Sequence, residues 1–354
     1  MKSNQKFFKG SKKQTVDKFF QKVLYDKKLG YYSSKNPFGK KGDFITSPII
    51  SRLFSEMIAI WIISTWEKIG KPKNLKIVEL GPGDGSMMKV LIDVFKKFPS
   101  FDSSKSIFLY ETSSFLKNIQ KYKIKDKRVK WIKDFRKFKK GPIIFFGNEF
   151  FDAIPIKQFS RKDNSIYEKY FVFKDNFKIQ EKFKTAKKED VETINSFKTI
   201  RNLNFIEFPK LGLKELNKIT NLISKYDGCI LLIDYGYLNP NNQNTLQSVL
   251  KNKKNNFLKN LGKADVTSHV NFTLLKEFFL RKNLNVKKVI TQREFLKNLG
   301  ILKRAEILAK KMKFRDQANL YLRLKRLLSR KLMGELFKVI LAFKFKNSEY
   351  SGFN

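Results

Sequence analysis

The sequence predicts an α/β protein built on an open, mostly parallel sheet, and three observations carry that expectation. A mostly apolar run over 75–80 breaks into Gly81, Gly83 and Gly85, then into a stretch of helical period over 86–95. The alternation repeats, with apolar runs at 106–110, 128–132 and 142–147 separated by helical patterns. After an interruption it resumes at 229–234. Parallel strands are covered on both faces, so they read as continuous apolar runs, and a helix carries the chain from each to the next.

The other elements follow from period and punctuation. Residues 16–25 have helical spacing. Residues 29–48 form a loop rich in Gly, Pro and aromatics, a content that argues against disorder. One long helix is expected over 49–69, stopped by Gly70 and Pro72. Over 156–185 the period drops to two, which predicts antiparallel strands with a turn at Asp175-Asn176. Helices follow to 226, then an Asn- and Lys-rich loop over 238–263 and a helix over 272–281. A strand at 286–291, helices through 330 and a final strand over 336–344 complete the chain. The expected organisation is an N-terminal helical cap with its aromatic loop (1–70), a Rossmann-like core (71–155 and 227–346) and an inserted strand/helix segment (156–226).

Composition removes several classes of chemistry. One Cys and one His among 354 residues exclude a disulfide framework and argue against a Cys/His metal cluster, so no metal site is expected. Cys229 lies in an apolar run and reads as a small buried hydrophobe. The net charge of +43 is extreme, but the lysines are spread along the whole chain, so only non-specific, salt-sensitive nucleic-acid binding is expected. The N-terminus has no apolar core of a secretory signal, and the apolar stretch 57–66 is too short to span a bilayer. A cytoplasmic protein is expected, or one of the mitochondrial matrix in a eukaryote.

A strand ending in glycines and followed by a helix turns backbone N–H groups toward a ligand at the strand's carboxyl end. A dinucleotide fingerprint would need a sixth-position glycine, where Ser86 stands. The pattern here is Glu79-x-Gly81-x-Gly83-x-Gly85, which resembles the first motif of S-adenosylmethionine (SAM) dependent methyltransferases. An acid at the strand end then has a cationic ligand to face. Glu111, after the second strand, fits a carboxylate for ribose hydroxyls, or equally a helix-start charge beside Thr112 and Ser113. Asp134 and Phe135, after the third, are candidates for the adenine.

The fourth strand runs into Asn148-Glu149-Phe150-Phe151-Asp152-Ala153-Ile154-Pro155. Carboxylates at Glu149 and Asp152 beside the Asn148 amide suit a planar guanidinium, which they would hold and align for methyl transfer. Phe150 and Phe151 would shield it. The same residues also read as a helix start, with Asn148 as the cap. Asp234, Tyr235 and Tyr237 end the fifth strand and are candidates for a substrate wall. His269, before the 272–281 helix, reads more as structural than as a general base.

Several blocks together resemble the MidA-like family of SAM-dependent methyltransferases. They are Gly30-Tyr31-Tyr32, Gly42 to Pro48 with the substrate-contact candidates Asp43 and Phe44, Val78 to Gly85, Asn148 to Pro155, Leu232 to Tyr237, Ala264 to Phe272, Gln292 to Gly300, and Met333-Gly334. The resemblance implies a class I methyltransferase sheet and methylation of an arginine in an NADH dehydrogenase (complex I) subunit during assembly. It assigns Gly81, Gly83 and Gly85 to the methionine end of SAM and Glu111 to its ribose. The Lys- and Asn-rich stretch after Leu246 departs from the family. Two other readings are a SAM-binding assembly factor that acts through partner contacts, and an RNA methyltransferase suggested by charge alone.

Overall fold

The computed structural model describes Phe7 and residues 13–34, 47–136, 138, 140–173, 179–251, 253–346 and 349–353. Asp43, Phe44 and the expected Asp175-Asn176 turn lie outside these residues. The chain divides into two compact units: Ile45–Phe150, Lys218–Gly236 and Phe279–Asn354 form one, and Met1–Phe44, Phe151–Asn217 and Tyr237–Phe278 the other.

The first unit is the sheet unit. Its strands run in the order Asn285–Val286, Phe337–Phe343, Gly228–Tyr237, Ile143–Asn148, Leu75–Leu80, Lys105–Tyr110, Val129–Ile132. Those from Gly228–Tyr237 to Val129–Ile132 are mutually parallel, and Phe337–Phe343 is antiparallel to Gly228–Tyr237. From Leu75–Leu80 the chain builds outward through two strands, then returns to its other side with Ile143–Asn148. The order therefore reverses between these two central strands, the switch point where open α/β sheets leave a crevice at their carboxyl ends. Helices Arg52–Lys68 and Ser86–Phe95 contribute Phe54, Trp61, Leu91 and Phe95 to a core shared with Ile77, Ile144 and Leu231.

Three local expectations are corrected. The long helix over 49–69 is two, Ser47–Ile50 and Arg52–Lys68, because Ser51 is extended and its Oγ accepts the Leu53 N–H. The single strand over 286–291 is two short ones, Asn285–Val286 and Ile290–Thr291, both paired with Phe337–Phe343. The loop over 238–263 contains strands Gln247–Leu250 and Lys253–Asn255, which join Asp265–Thr267 in a small antiparallel sheet. Runs of Lys and Asn conceal strands whose pairing is long-range.

The second unit holds an antiparallel sheet in the order Lys13–Thr15, Ser165–Phe173, Lys157–Lys162, Phe205–Phe208, with Ile179–Thr185 also on Ser165–Phe173. A tight turn joins Lys157–Lys162 to Ser165–Phe173 at Asp163-Asn164, both at positive φ, 45° and 62°. Helix Val16–Tyr25 matches the expected bounds and buries Val16, Phe19, Phe20, Val23 and Leu24, with Phe171 and Val266 in the same cluster.

Candidate functional site

In the sheet unit the glycine turn places left-handed residues at alternate positions: Gly81, Gly83 and Gly85 have φ of 61°, 55° and 80°. Only glycine takes such values freely. At Gly81 a Cβ would also lie 2.9 Å from Phe150 Cδ2, so Phe150 rests on the bare side of the turn. Asp84 Oδ1 accepts the Ser86 N–H at the start of helix Ser86–Phe95, and its Oδ2 takes the Lys123 ammonium.

Glu79, on the strand entering the turn, is 1 % exposed, and its Oε2 has no hydrogen-bond partner among the described residues. Burial first, and then the Asp84 carboxylate, push its carboxyl up to about 8. An orphaned buried acid at a glycine cradle suits a ligand that brings a cation. Because the folded-state value is raised, the fold favours the protonated acid. Its contribution is complete below the unfolded value near 4.5 and is lost as pH climbs toward 8. Thermal melts of the SAM-free protein between about pH 5 and pH 9 are expected to fall, and Glu79→Gln to remove part of that fall. Parallel profiles for the two proteins would show that Glu79 does not titrate in this window.

Glu111, buried at the end of the second strand, is already held by protein. Its Oε1 accepts the Ser113 N–H at 2.7 Å and its Oε2 accepts Gln120 Nε2 at 3.0 Å. Burial raises its pKa, partly offset by these bonds. It thus serves at the start of helix Ser114–Ile124, where Ser113 is the cap, while each oxygen keeps further acceptor capacity. Gln120, which sequence reasoning missed, ties the region together. Its Nε2 also donates to the Gly83 carbonyl at 2.8 Å, and its Oε1 accepts Trp131 Nε1 at 2.9 Å. Nothing in a Lys-rich helix signals that one glutamine. Gln120→Ala would leave the Trp131 N–H, the Gly83 carbonyl and a Glu111 oxygen without this partner. A stability loss of about 2–3 kcal/mol is expected in urea unfolding, with weakened SAM binding. A loss below about 0.5 kcal/mol would mean that water replaces the amide.

The acid and aromatic expected together after the third strand are separated. Asp134 is exposed and paired with Arg136 at 2.7 Å, whereas Phe135 is buried against Tyr110, centroids 4.9 Å apart.

At the other side of the switch point, residues 149–156 form a turn and the next element is strand Lys157–Lys162. The helix-start reading of Asn148 to Asp152 is therefore wrong, because the chain bends here without completing a helical turn. Glu149 sits at φ 51°, a left-handed value rare for a side chain of this size. Its N–H donates to the Ile233 carbonyl at 2.9 Å. Its Oε1 accepts the Ser47 N–H at 3.2 Å and Asn148 Nδ2 at 3.0 Å. Asn148 Oδ1 is buried with no partner among the described residues. Phe150 lies against Gly81 and Gly147. Ser47 is a second residue not singled out from sequence, although it stands inside the Gly42–Pro48 block. It is fully buried, with its Oγ toward Gln292 Oε1 at 3.4 Å. Asp234 is buried, its Oδ1 accepting the Tyr235 N–H, and the Tyr235 ring packs edge-on to Phe337.

Phe151, Asp152 and Tyr237 belong to the second unit. Phe151 is buried on Gly212, where a Cβ would meet its ring at 2.5 Å, so it packs a core. Asp152 is buried, and its carbonyl accepts the Ser268 N–H. The Tyr32 hydroxyl donates to Asp265 Oδ1 at 3.4 Å, and its ring stacks on Tyr25. Burial first, then Asp265, Tyr25 and Asp152, hold the Tyr32 phenol neutral. Burial and Glu207 raise the Tyr237 phenol. Burial lowers the His269 pKa, favouring a neutral ring, and its backbone N–H donates to Thr245 Oγ1. Among the described residues no group of three His, Cys, Asp or Glu side chains could hold a metal ion.

Residues 57–290, which include the glycine turn, Glu111, Asn148 and Asp234, match the model of a family described as "Putative S-adenosyl-L-methionine-dependent methyltransferase". The chain belongs to this methyltransferase family. The enzyme is 29% identical over 323 residues to "Protein arginine methyltransferase NDUFAF7, mitochondrial" of Xenopus tropicalis, covering 84% of this chain and 74% of that protein. It is 30% identical over 332 residues to the Caenorhabditis elegans homolog, covering 86% and 76%. Among solved structures, a Burkholderia thailandensis protein bound to S-adenosyl-homocysteine superposes with a TM-score of 0.81 at 19% identity. That match covers 99% of this chain and 93% of the other, and it shows the shared methyltransferase fold. SAM is accordingly the methyltransferase's cofactor, and the positive-φ glycine turn beside the orphaned Glu79 carboxylate fits it.

Proposed function

We propose that this methyltransferase methylates a guanidinium nitrogen of an arginine in a protein, a subunit of NADH dehydrogenase (complex I) during assembly. The observation that carries the reading is the Glu149 carboxylate, anchored by Ser47 and Asn148 at the carboxyl end of the central strand. The relatives named protein arginine methyltransferases point to the same acceptor. Glu79 and the turn Gly81, Gly83, Gly85 would take the methionine end of SAM, and the free acceptor capacity of Glu111 its ribose. Bound SAM supplies an electrophilic methyl group on a sulfonium. Glu149 and the Asn148 Oδ1 would accept guanidinium N–H bonds and hold one nitrogen in line. Phe150, over the glycine turn, would exclude water. The enzyme would work in a bacterial cytoplasm, or in the matrix of a mitochondrion.

The test is incubation with labelled SAM and the purified NADH dehydrogenase subunits, read by mass spectrometry for methylarginine. Label on arginine of one subunit is the expected result. Tight SAM binding with no labelled subunit would reject the acceptor and leave an assembly role through partner contacts. Label on RNA alone would reject a protein substrate.

A further inference from the structure

Helix Phe314–Leu328 of the sheet unit carries an apolar stripe on its outer side as well as on its inner one. Leu320, Leu324, Leu327 and Leu328 face the core. Phe314, Ala318, Tyr321 and Leu322, at positions i, i+4, i+7 and i+8, are all exposed and form a second stripe turned about 120° from the first. Phe314 is 85% exposed and Leu322 64%. The neighbouring helix Ile301–Ala309, tied on by the bond from Gln317 Nε2 to the Ala309 carbonyl, exposes Leu302 and Ile307 as well. Single exposed apolar side chains are ordinary, but a helical run of them marks a surface that meets something.

Charge indicates the occupant. Residues 301–331 hold eleven Lys or Arg and two acids, net +9 in 31 residues, more than twice the density of the whole chain at +43 in 354. Arg315, Lys325 and Arg326 flank the stripe, are exposed, and have no acidic partner among the described residues. We propose that the outer face of helix Phe314–Leu328, with helix Ile301–Ala309, is a peripheral docking surface for an anionic lipid bilayer. Apolar tips would enter the boundary between headgroups and acyl chains, and the flanking cations would meet lipid phosphates. Nucleic acid fits less well, since Leu302, Ile307 and Leu322 outnumber the two aromatic faces, Phe314 and Tyr321, on which a base can stack. No helix among the described residues is long and apolar enough to cross a membrane, so the attachment would be reversible.

Flotation of the full chain with phosphatidylcholine vesicles, with and without phosphatidylglycerol, tests this at about 0.15 M salt, where diffuse charge attraction is screened. Retention is expected on the anionic vesicles alone. Phe314→Ser/Leu322→Ser is expected to cut it at least tenfold, since two apolar side chains that would enter the bilayer are lost. Its thermal melt should be unchanged, because both positions are exposed. Lys325→Glu/Arg326→Glu should weaken retention far more than Lys97→Glu/Lys127→Glu, the same charge change elsewhere on the unit. Wild-type retention by the serine variant, equal losses in the two charge variants, or no retention of the native chain would each overturn the proposal. So would binding to single-stranded RNA that displaces vesicles and is lost in the same variants, which would make this a nucleic-acid face.

Discussion

Glu149→Gln is expected to lower methyl transfer about a hundred- to a thousand-fold while SAM affinity stays within about two-fold. The substitution keeps the shape and an oxygen able to accept the Ser47 N–H and Asn148 amide bonds, so the turn should survive. What it removes is the charge that would pair with a guanidinium. Backbone geometry adds a second arm. At φ 51° a glutamate side chain costs about 1–2 kcal/mol relative to glycine, a conformation retained at the expense of stability. Glu149→Gly relieves that strain but leaves the buried Ser47 N–H without its acceptor, so the thermal melt should change little while turnover is lost. Single-turnover assays with labelled SAM, alongside calorimetry for SAM affinity, decide the point. Near-normal transfer by a folded Glu149→Gln protein would reduce Glu149 to a turn residue.

The second large effect lies at the glycine turn. Gly81→Val should weaken SAM at least a hundred-fold, because two causes act on the same backbone. The residue stands at φ 61°, and its Cβ would press on Phe150 Cδ2 at 2.9 Å, forcing apart the two strand ends that meet at the switch point. Gly70 supplies the control. It has φ 89° with nothing within 4 Å of a Cβ, so Gly70→Val carries the dihedral strain without the contact. Calorimetry should find SAM affinity intact in Gly70→Val and lost in Gly81→Val. Equal losses would mean that strain in the unit as a whole, rather than the shape of the turn, governs binding.

The sequence by itself determined the elements whose signals are local. The apolar run, the glycines and the helical period after them specify Leu75–Leu80 and Ser86–Phe95, since strand burial and glycine dihedrals are encoded within a few residues. Helices Val16–Tyr25 and Phe272–Arg281 were legible for the same reason. The strand order was half legible: parallel strands imply crossovers, but only the pairing of Ile143–Asn148 with Leu75–Leu80 puts Asn148 and Glu149 beside the glycine turn.

Tertiary structure alone decided what each polar side chain touches. Gln120 became the link between Gly83, Glu111 and Trp131 because helix Ser114–Ile124 brings it there, and its flanking lysines carry no trace of that role. Ser47 meets Glu149 across 102 residues of chain. Phe151, read as a shield, went to a core because Gly212 leaves room for its ring. The Asn148 to Asp152 block could not be told from a helix start, since an amide followed by acids satisfies capping rules equally well. What settles it is the register of strand Ile143–Asn148 against Gly228–Tyr237, which pairs the Glu149 N–H with Ile233 and leaves no helical turn to cap. Local preference names the candidate residues, and long-range pairing chooses their partners, because a hydrogen bond between distant residues depends on the chain path between them.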